Sequence, residues 1–328
     1  MRNTLLYTLP VLLIVVVFLL VFKLSEKSPT PVIEESRYKV LAIDTMKYSR
    51  DLAREKEYDT SFNKTIELHV RSIAQTGATH VSIGTPYDDE FVPYLKRWVD
   101  MARKYDLNVW FRGNFSGWEQ WFGYGPITKN EHLRLTERFI LNNVELFQDG
   151  DIFTTCSECE NGAIGDPRQT KKVNEYREFL VESYSTSNRA FEKIDKDVNT
   201  GYFSMNYDVA SIIMDKKTTA ATGGIVVIDH YVSDPVKLIK DAKVIAEATE
   251  GKVVLGEFGA PIPDIHGEMT DQEQRQWIGV LLQELETAED VIGLNYWTSY
   301  GGSTRIWTDE GTAKSAVEVL SAFYKKHT

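Results

Sequence analysis

Cysteine is nearly missing from this chain: Cys156 and Cys159 are the only two among 328 residues. Two thiolates cannot complete a tetrahedral zinc site, and one pair cannot build the framework of a disulfide-stapled domain. No H-E-x-x-H helix, no carboxylate run with calcium-loop spacing and no glycine-rich phosphate loop occurs, so no metal or cofactor is expected. Cations are also in short supply. The 37 Lys and Arg against 48 Asp and Glu leave a formal net charge of −11. Phosphate backbones are held by clustered Lys and Arg, so a nucleic-acid partner is not expected. Internal repeats beyond a β-strand/α-helix unit are absent, as are low-complexity tracts. The acidic balance suits a neutral substrate such as a sugar, and the chain is expected to act as a monomer.

The one long apolar run lies at the N-terminus. Leu5 to Phe22 carries no charge, and its length matches the ~20 residues that span a hydrocarbon core. A basic start and an apolar core also describe a secretory signal. No small-x-small cleavage pattern follows, so residues 1–24 read as an uncleaved transmembrane anchor, with a cleaved signal peptide as the alternative. Residues 25–37, polar and proline-bearing, read as a tether. The body, 38–328, is expected outside the cytoplasm, membrane-anchored, or secreted if the segment is removed. In such a compartment Cys156 and Cys159 could form a local disulfide or remain two free thiols.

From Tyr38 onward, short apolar runs alternate with amphipathic stretches of helical period. Strands are predicted at Tyr38–Asp44, His80–Gly84, Asn108–Arg112, Asp151–Thr155, Thr200–Met205, Ile225–Asp229, Lys252–Gly259 and Val291–Tyr296. Eight such strands with intervening helices predict an α/β fold of the (β/α)₈ TIM-barrel type. A doubly wound open sheet is the competitor, and it lacks the phosphate loop that usually marks it. Trp98 and Trp277 fall on helices and are assigned to the core, and His80 is assigned a structural role.

A barrel of this type carries its chemistry at the C-terminal strand ends. There the fourth strand offers Glu158 or Glu160, the sixth His230 and Tyr231, the seventh Glu257, and the eighth Asn295 and Trp297. Cleaving a glycosidic bond takes two carboxyl groups, one protonated to release the leaving oxygen and one ionised to attack. In that arrangement the chain resembles the retaining (β/α)₈ glycoside hydrolases of the clan containing cellulases, β-mannanases and β-galactosidases. The resemblance runs from about Tyr38 to Thr328 and rests on architecture and short motifs. It implies Glu257 as nucleophile, Tyr231 as its hydrogen-bond donor and Trp297 as the floor of the subsite where the bond breaks. It also implies Glu158 as acid/base, with Glu160 the rival. The clan often shows Asn–Glu–Pro where this chain has Ser157–Glu158–Cys159, and its usual strand-two Arg is missing. Arg112 could supply that charge or simply pair with an acid.

Further sugar contacts are expected from Ser157, Asn206, Asn295, His230 and the aromatic loops that hold Trp118, Trp121 and Tyr300, because sugar C–H faces stack on aromatic rings. The reaction implied is a double displacement at a β-glycosidic bond of an oligo- or polysaccharide. A sugar-binding barrel without catalysis is the competing reading.

Overall fold

Eight parallel strands were recovered where the apolar runs lie. They are β1 (Val40–Asp44), β2 (His80–Ile83), β3 (Asn108–Phe111), β4 (Ile152–Phe153), β5 (Ser204–Asn206), β6 (Ile225–Asp229), β7 (Lys252–Phe258) and β8 (Val291–Tyr296). The structure is a computed structural model, and it describes residues 36–328. The expected anchor, 1–24, and all but the end of the tether, 25–37, lie outside the described residues. Among the described residues, no helix is long and apolar enough to cross a membrane.

Strand order is β4-β3-β2-β1-β8-β7-β6-β5. The sheet's two edges meet where Ile152 of β4 forms a parallel bridge to Asn199, on the chain leading into β5. Phe153 N donates to Asn199 O at 2.9 Å and Asn199 N to Asp151 O at 2.8 Å. The sheet therefore curls round on itself, and with helices flanking it, it fits a (β/α)₈ barrel.

Side chains alternate across a strand, so each strand feeds two layers. Val40, Ala42, Trp110, Ile152, Tyr202, Val227 and Val254 pack together inside the barrel. Their neighbours Leu41, Ile43, Val109, Phe111, Val253 and Leu255 face the helices and join the larger outer core. Trp98 and Trp277 belong to that outer core, as the helical periodicity predicts. His80 is buried and contacts Thr79 Oγ1 and Gly150 O, a structural placement.

The helices begin where their caps dictate. Thr270 and Glu273 form a reciprocal capping box at the start of Asp271–Leu285, and Asp234 caps Pro235–Thr249. Two helices, Tyr207–Ile213 and Lys216–Ala221, link β5 to β6. Asp215 between them accepts from Thr218 N and starts the second.

Candidate active site

Alternation decides which strand-end residues look into the barrel mouth. On β1 the inward series Val40, Ala42 ends at Asp44, and on β6 Val227 is followed by Asp229. Trp110 on β3 leads to Arg112, and Tyr202 leads to Ser204 on β5. These four inward ends meet. Arg112 Nη1 donates to Asp44 Oδ2 at 2.7 Å and to Glu257 Oε1 at 3.0 Å. Its Nη2 reaches Ser204 Oγ at 2.7 Å and Asp229 Oδ2 at 3.5 Å. The Ser204 hydroxyl in turn donates to Asp229. Arg112 thus pairs with three acids, one of them the expected nucleophile.

Strict alternation would turn Glu257 outward, because Val253 and Leu255 face the helices. A bulge prevents this. Ile228 pairs with Leu255, whereas the next residue, Asp229, pairs with Glu257, leaving Gly256 as the extra residue in β7. Bulges re-aim side chains in this way. Only glycine fits at that point: a Cβ on Gly256 would stand 2.5 Å from both Asp229 Oδ1 and Val227 Cγ1. Glu257 so placed accepts from Arg112 on one oxygen and from the Tyr231 hydroxyl on the other, at 2.8 Å. Both Glu257 oxygens are thus acceptors, one oriented by a guanidinium and the other by a phenol.

Glu158 lies across the same cavity. Its backbone takes the left-handed conformation (φ 46°, ψ 58°), and its N–H donates to Ser204 O at 2.8 Å. Cys156 and Cys159 form a disulfide around it, which settles the choice between bonded and free thiols. Asn206 Nδ2 donates to Glu158 Oε1 at 2.9 Å and Asn161 Nδ2 to Oε2 at 3.1 Å. Burial, and then the charges of Glu257 and Glu160, push the Glu158 carboxyl up to about 7.

A cavity of about 150 Å³ is lined by Met46, Arg50, Arg112, Glu119, Trp121, Ser157, Glu158, Glu257 and Trp297. That is roughly the volume of an engineered cavity that takes one benzene ring. A larger hollow of about 590 Å³ lies at helix Val173–Lys193, lined by residues such as Asn174 and Lys217, and contains none of these carboxyl groups. Size alone would choose it; chemistry chooses the smaller one.

The sequence-predicted residues divide into two groups. Glu257, Glu158, Arg112, Ser157, Trp121 and Trp297 line the cavity, and Tyr231 reaches it through Glu257. Ser157 Oγ donates to Arg112 O at 3.0 Å. Glu160 is sunk behind Glu158, where it accepts from Tyr176 OH at 3.0 Å and from Asn206 N at 3.1 Å. Asn206 therefore holds both glutamates, with its Nδ2 also 3.1 Å from Glu160.

Four of the expected sugar contacts do not line this cavity. Trp118 is buried, stacked on Phe179, and its indole N–H donates to Cys159 O at 3.2 Å. Tyr300 is buried between His69 and Trp307, with its hydroxyl 3.0 Å from Ser72 Oγ. Both rings found internal partners for their polar tips and so pack as core. Asn295 sits beneath the mouth, fully buried, and bonds Gly256 O at 2.8 Å and Asp44 Oδ2 at 3.3 Å. His230 is outside the cavity, stacked on Tyr207 and 2.7 Å from Asp241.

Sequence reasoning passed over Asp44, Ser204, Asp229, Met46, Arg50 and Glu119. Two of these had a visible signal, because YKVLAID and IVVID each end a strand in an acid. Burial and the neighbouring Glu257 charge push Asp229 well up, toward the neutral form, against the pull of Arg112. Glu119 follows β3 in a short helical turn, Ser116–Glu119, and burial pushes it up to about 7. Among the described residues, no cluster of His, Cys, Asp and Glu could hold a metal ion.

No protein-family model matches the chain, and no curated protein matches it in sequence. Solved structures do match in fold. A GH5_18 protein from Bifidobacterium longum subsp. longum, solved in complex with Manβ1-4GlcNAc, superposes with a TM-score of 0.67. It is 13% identical, with 88% of this chain and 78% of that one covered. A GH5_18 protein from Streptomyces cattleya, in complex with GlcNAc, gives a TM-score of 0.66 at 12% identity, covering 90% and 82%. A β-D-glucuronidase from Dictyoglomus thermophilum gives 0.60 at 15% identity over 89% of this chain, which spans only 51% of that one. The fold is that of these (β/α)₈ proteins, and at such identities the likeness is one of fold.

Proposed function

We propose that the protein is a glycoside hydrolase that cleaves a β-glycosidic bond in an oligo- or polysaccharide by retaining double displacement. One observation carries this reading: two carboxyl groups line one cavity in different surroundings. Glu158 is pushed up to about 7 and can hold a proton, while Glu257 accepts from Arg112 and Tyr231. Glu257 attacks the anomeric carbon as Glu158 protonates the departing oxygen. Glu158, now a base, draws a proton from water, which displaces Glu257 and restores both groups. Arg112 and Tyr231 keep the attacking oxygens oriented, and Trp297 and Trp121 offer ring faces to the sugar. Glu160, with both oxygens engaged by Asn206 and Tyr176, supports Glu158 from behind rather than competing with it.

The GH5_18 neighbours bound to Manβ1-4GlcNAc and GlcNAc suggest β-mannosides and β-N-acetylglucosaminides as first substrates to try. Glu158→Ala should lower turnover of poorly activated aryl glycosides by at least ~100-fold; with an activated aryl glycoside, whose departure needs no acid, azide should raise turnover by giving a β-glycosyl azide. Hydrolysis that survives Glu158→Ala unchanged, or no hydrolysis by the wild type across aryl-glycoside and polysaccharide panels, would defeat the proposal.

The reading includes placement. Residues 1–24 would anchor the protein, 25–37 tether it, and 38–328 form the catalytic body outside the cytoplasm. The charge-free run Leu5–Phe22 supports the anchor, and the Cys156–Cys159 disulfide suits an oxidising compartment. Carbonate-resistant retention in the membrane fraction is expected; full release would favour a cleaved signal.

A further inference from the structure

The double displacement leaves two charged side chains of the cavity without a task, Glu119 and Arg50. We propose that they form a donor–acceptor pair that grips two neighbouring hydroxyls of an uncharged sugar ring, an inference that rests on the glycosidase reading. Both side chains line the cavity that contains Glu158 and Glu257.

Glu119 is positioned from one side only. Asn114 Nδ2 donates to its Oε1 at 2.9 Å. The Asn114 amide is itself fixed, because its Oδ1 accepts from Phe115 N at 2.9 Å and lies 3.2 Å from His132 Nε2. Among the described residues Glu119 has no other hydrogen-bond partner, so its second oxygen remains available to a ligand. Arg50 is held in a similar way. Its Nε donates to Asp51 Oδ1 at 2.9 Å, and its guanidinium lies over the Trp121 ring at 4.8 Å. Its two Nη groups have no acceptor among the described residues. An unused acceptor and unused donors thus line one small cavity without bonding to each other.

Charge selects the ligand. An ammonium group drawn to Glu119 would meet the Arg50 cation, and a carboxylate drawn to Arg50 would meet Glu119 beside Glu158 and Glu257. Two hydroxyls suit both: one donates to Glu119, and its neighbour accepts from Arg50. A carboxyl raised to about 7 by burial bonds a hydroxyl in either protonation state, which it could not do for an ion. The substrate class is therefore a neutral glycoside with a free vicinal diol, and uronides and amino sugars with a free ammonium group are disfavoured.

The test compares aryl β-glycosides of a neutral sugar, a glucuronide and a glucosaminide, in gluco and manno configuration, on the wild type, Glu119→Gln and Arg50→Gln. The wild type should prefer a neutral glycoside. Each substitution should lower kcat/KM for it about 10–100-fold, and monodeoxy analogues lacking a gripped hydroxyl should lose most of that sensitivity. A wild type that prefers the glucuronide or glucosaminide overturns the inference, as do variants with unchanged kcat/KM. Calorimetric titration of methyl β-glycosides into Glu257→Gln, with and without Glu119→Gln, reads the same contact without turnover. Weaker binding with the second substitution is expected, and equal binding overturns the pair even if hydrolysis is never seen. Hydrolysis with an indifferent Glu119 would sink the pair alone; binding without any hydrolysis would sink the glycosidase reading alone.

Discussion

Arg112 is buried and touches Asp44, Ser204, Asp229 and Glu257, so its loss would strand acidic groups away from water. Removing one partner from a buried charged network costs ~3–5 kcal/mol. Urea unfolding of Arg112→Ala should show a loss of that order. Arg112→Lys keeps a charge but not the fork that spans Asp44 and Ser204, so its kcat should fall while the fold survives; circular dichroism and kinetics separate the two. Glu158 sets a second expectation. Its proton is needed in the first step, so kcat/KM should fall as pH rises through about 7. A flat profile from pH 6 to 9 would remove Glu158 as the acid. Individual residues were unevenly legible in the sequence. Glu257 could be read because an acid ends the apolar run of β7, whereas Glu158 and Tyr231 were singled out through the resemblance to the glycoside hydrolases. Trp118 and Tyr300 could not be read, because a loop position does not reveal whether a ring faces solvent or finds an internal partner such as Cys159 O or Ser72 Oγ.

Two elements shape the site, the bulge in β7 and the bonded loop Cys156–Cys159. Gly256→Ala forces a Cβ to 2.5 Å from Asp229 Oδ1 and Val227 Cγ1, so β7 must shift and carry Glu257 with it. Such overpacking costs ~1–3 kcal/mol, and kcat should drop far more than stability accounts for, measured as activity at temperatures where the variant is fully folded. The loop holds Glu158 at φ 46°, which a non-glycine residue keeps only when its surroundings impose it. Replacing both cysteines by serine should lower kcat more than KM changes and move the basic limb of the pH profile. Unchanged kinetics would mean that Ser204 O and Asn206 hold Glu158 unaided. All eight strands were visible as apolar runs, because a buried parallel strand has little choice but to be apolar. The bulge was read past: inward and outward positions look alike when both faces are buried, and only the isolated Gly256 in KVVLGEFG marks where the alternation slips.

The molecule as a whole brings several acids into low-polarity surroundings, and this has a consequence for stability. Glu158 and Glu119 are raised from 4.5 to about 7, and Asp229 is raised well above its ordinary value. A folded state that holds protons the unfolded chain has lost gains stability as pH falls. These groups should therefore favour the folded state as pH falls from 7 to about 4.5, a rise in melting temperature opposed by the buried neutral His69, His80 and His132, which take up protons only on unfolding. Glu119→Gln should flatten part of that rise, and a steeper rise in the variant would contradict the sign. The (β/α)₈ architecture was legible because it follows from the number and order of strands and helices, whereas ligand choice depends on a cavity that only folding assembles. The central claim is that Glu257 forms a covalent bond to the sugar. The most direct measurement is mass spectrometry of the protein after incubation with an activated 2-deoxy-2-fluoro-β-glycoside of a sugar it hydrolyses. The account predicts one added glycosyl unit on the peptide containing Glu257 and loss of activity in step with labelling. A label on Glu158 or Glu160, or turnover with an inverted product and no adduct, would contradict it.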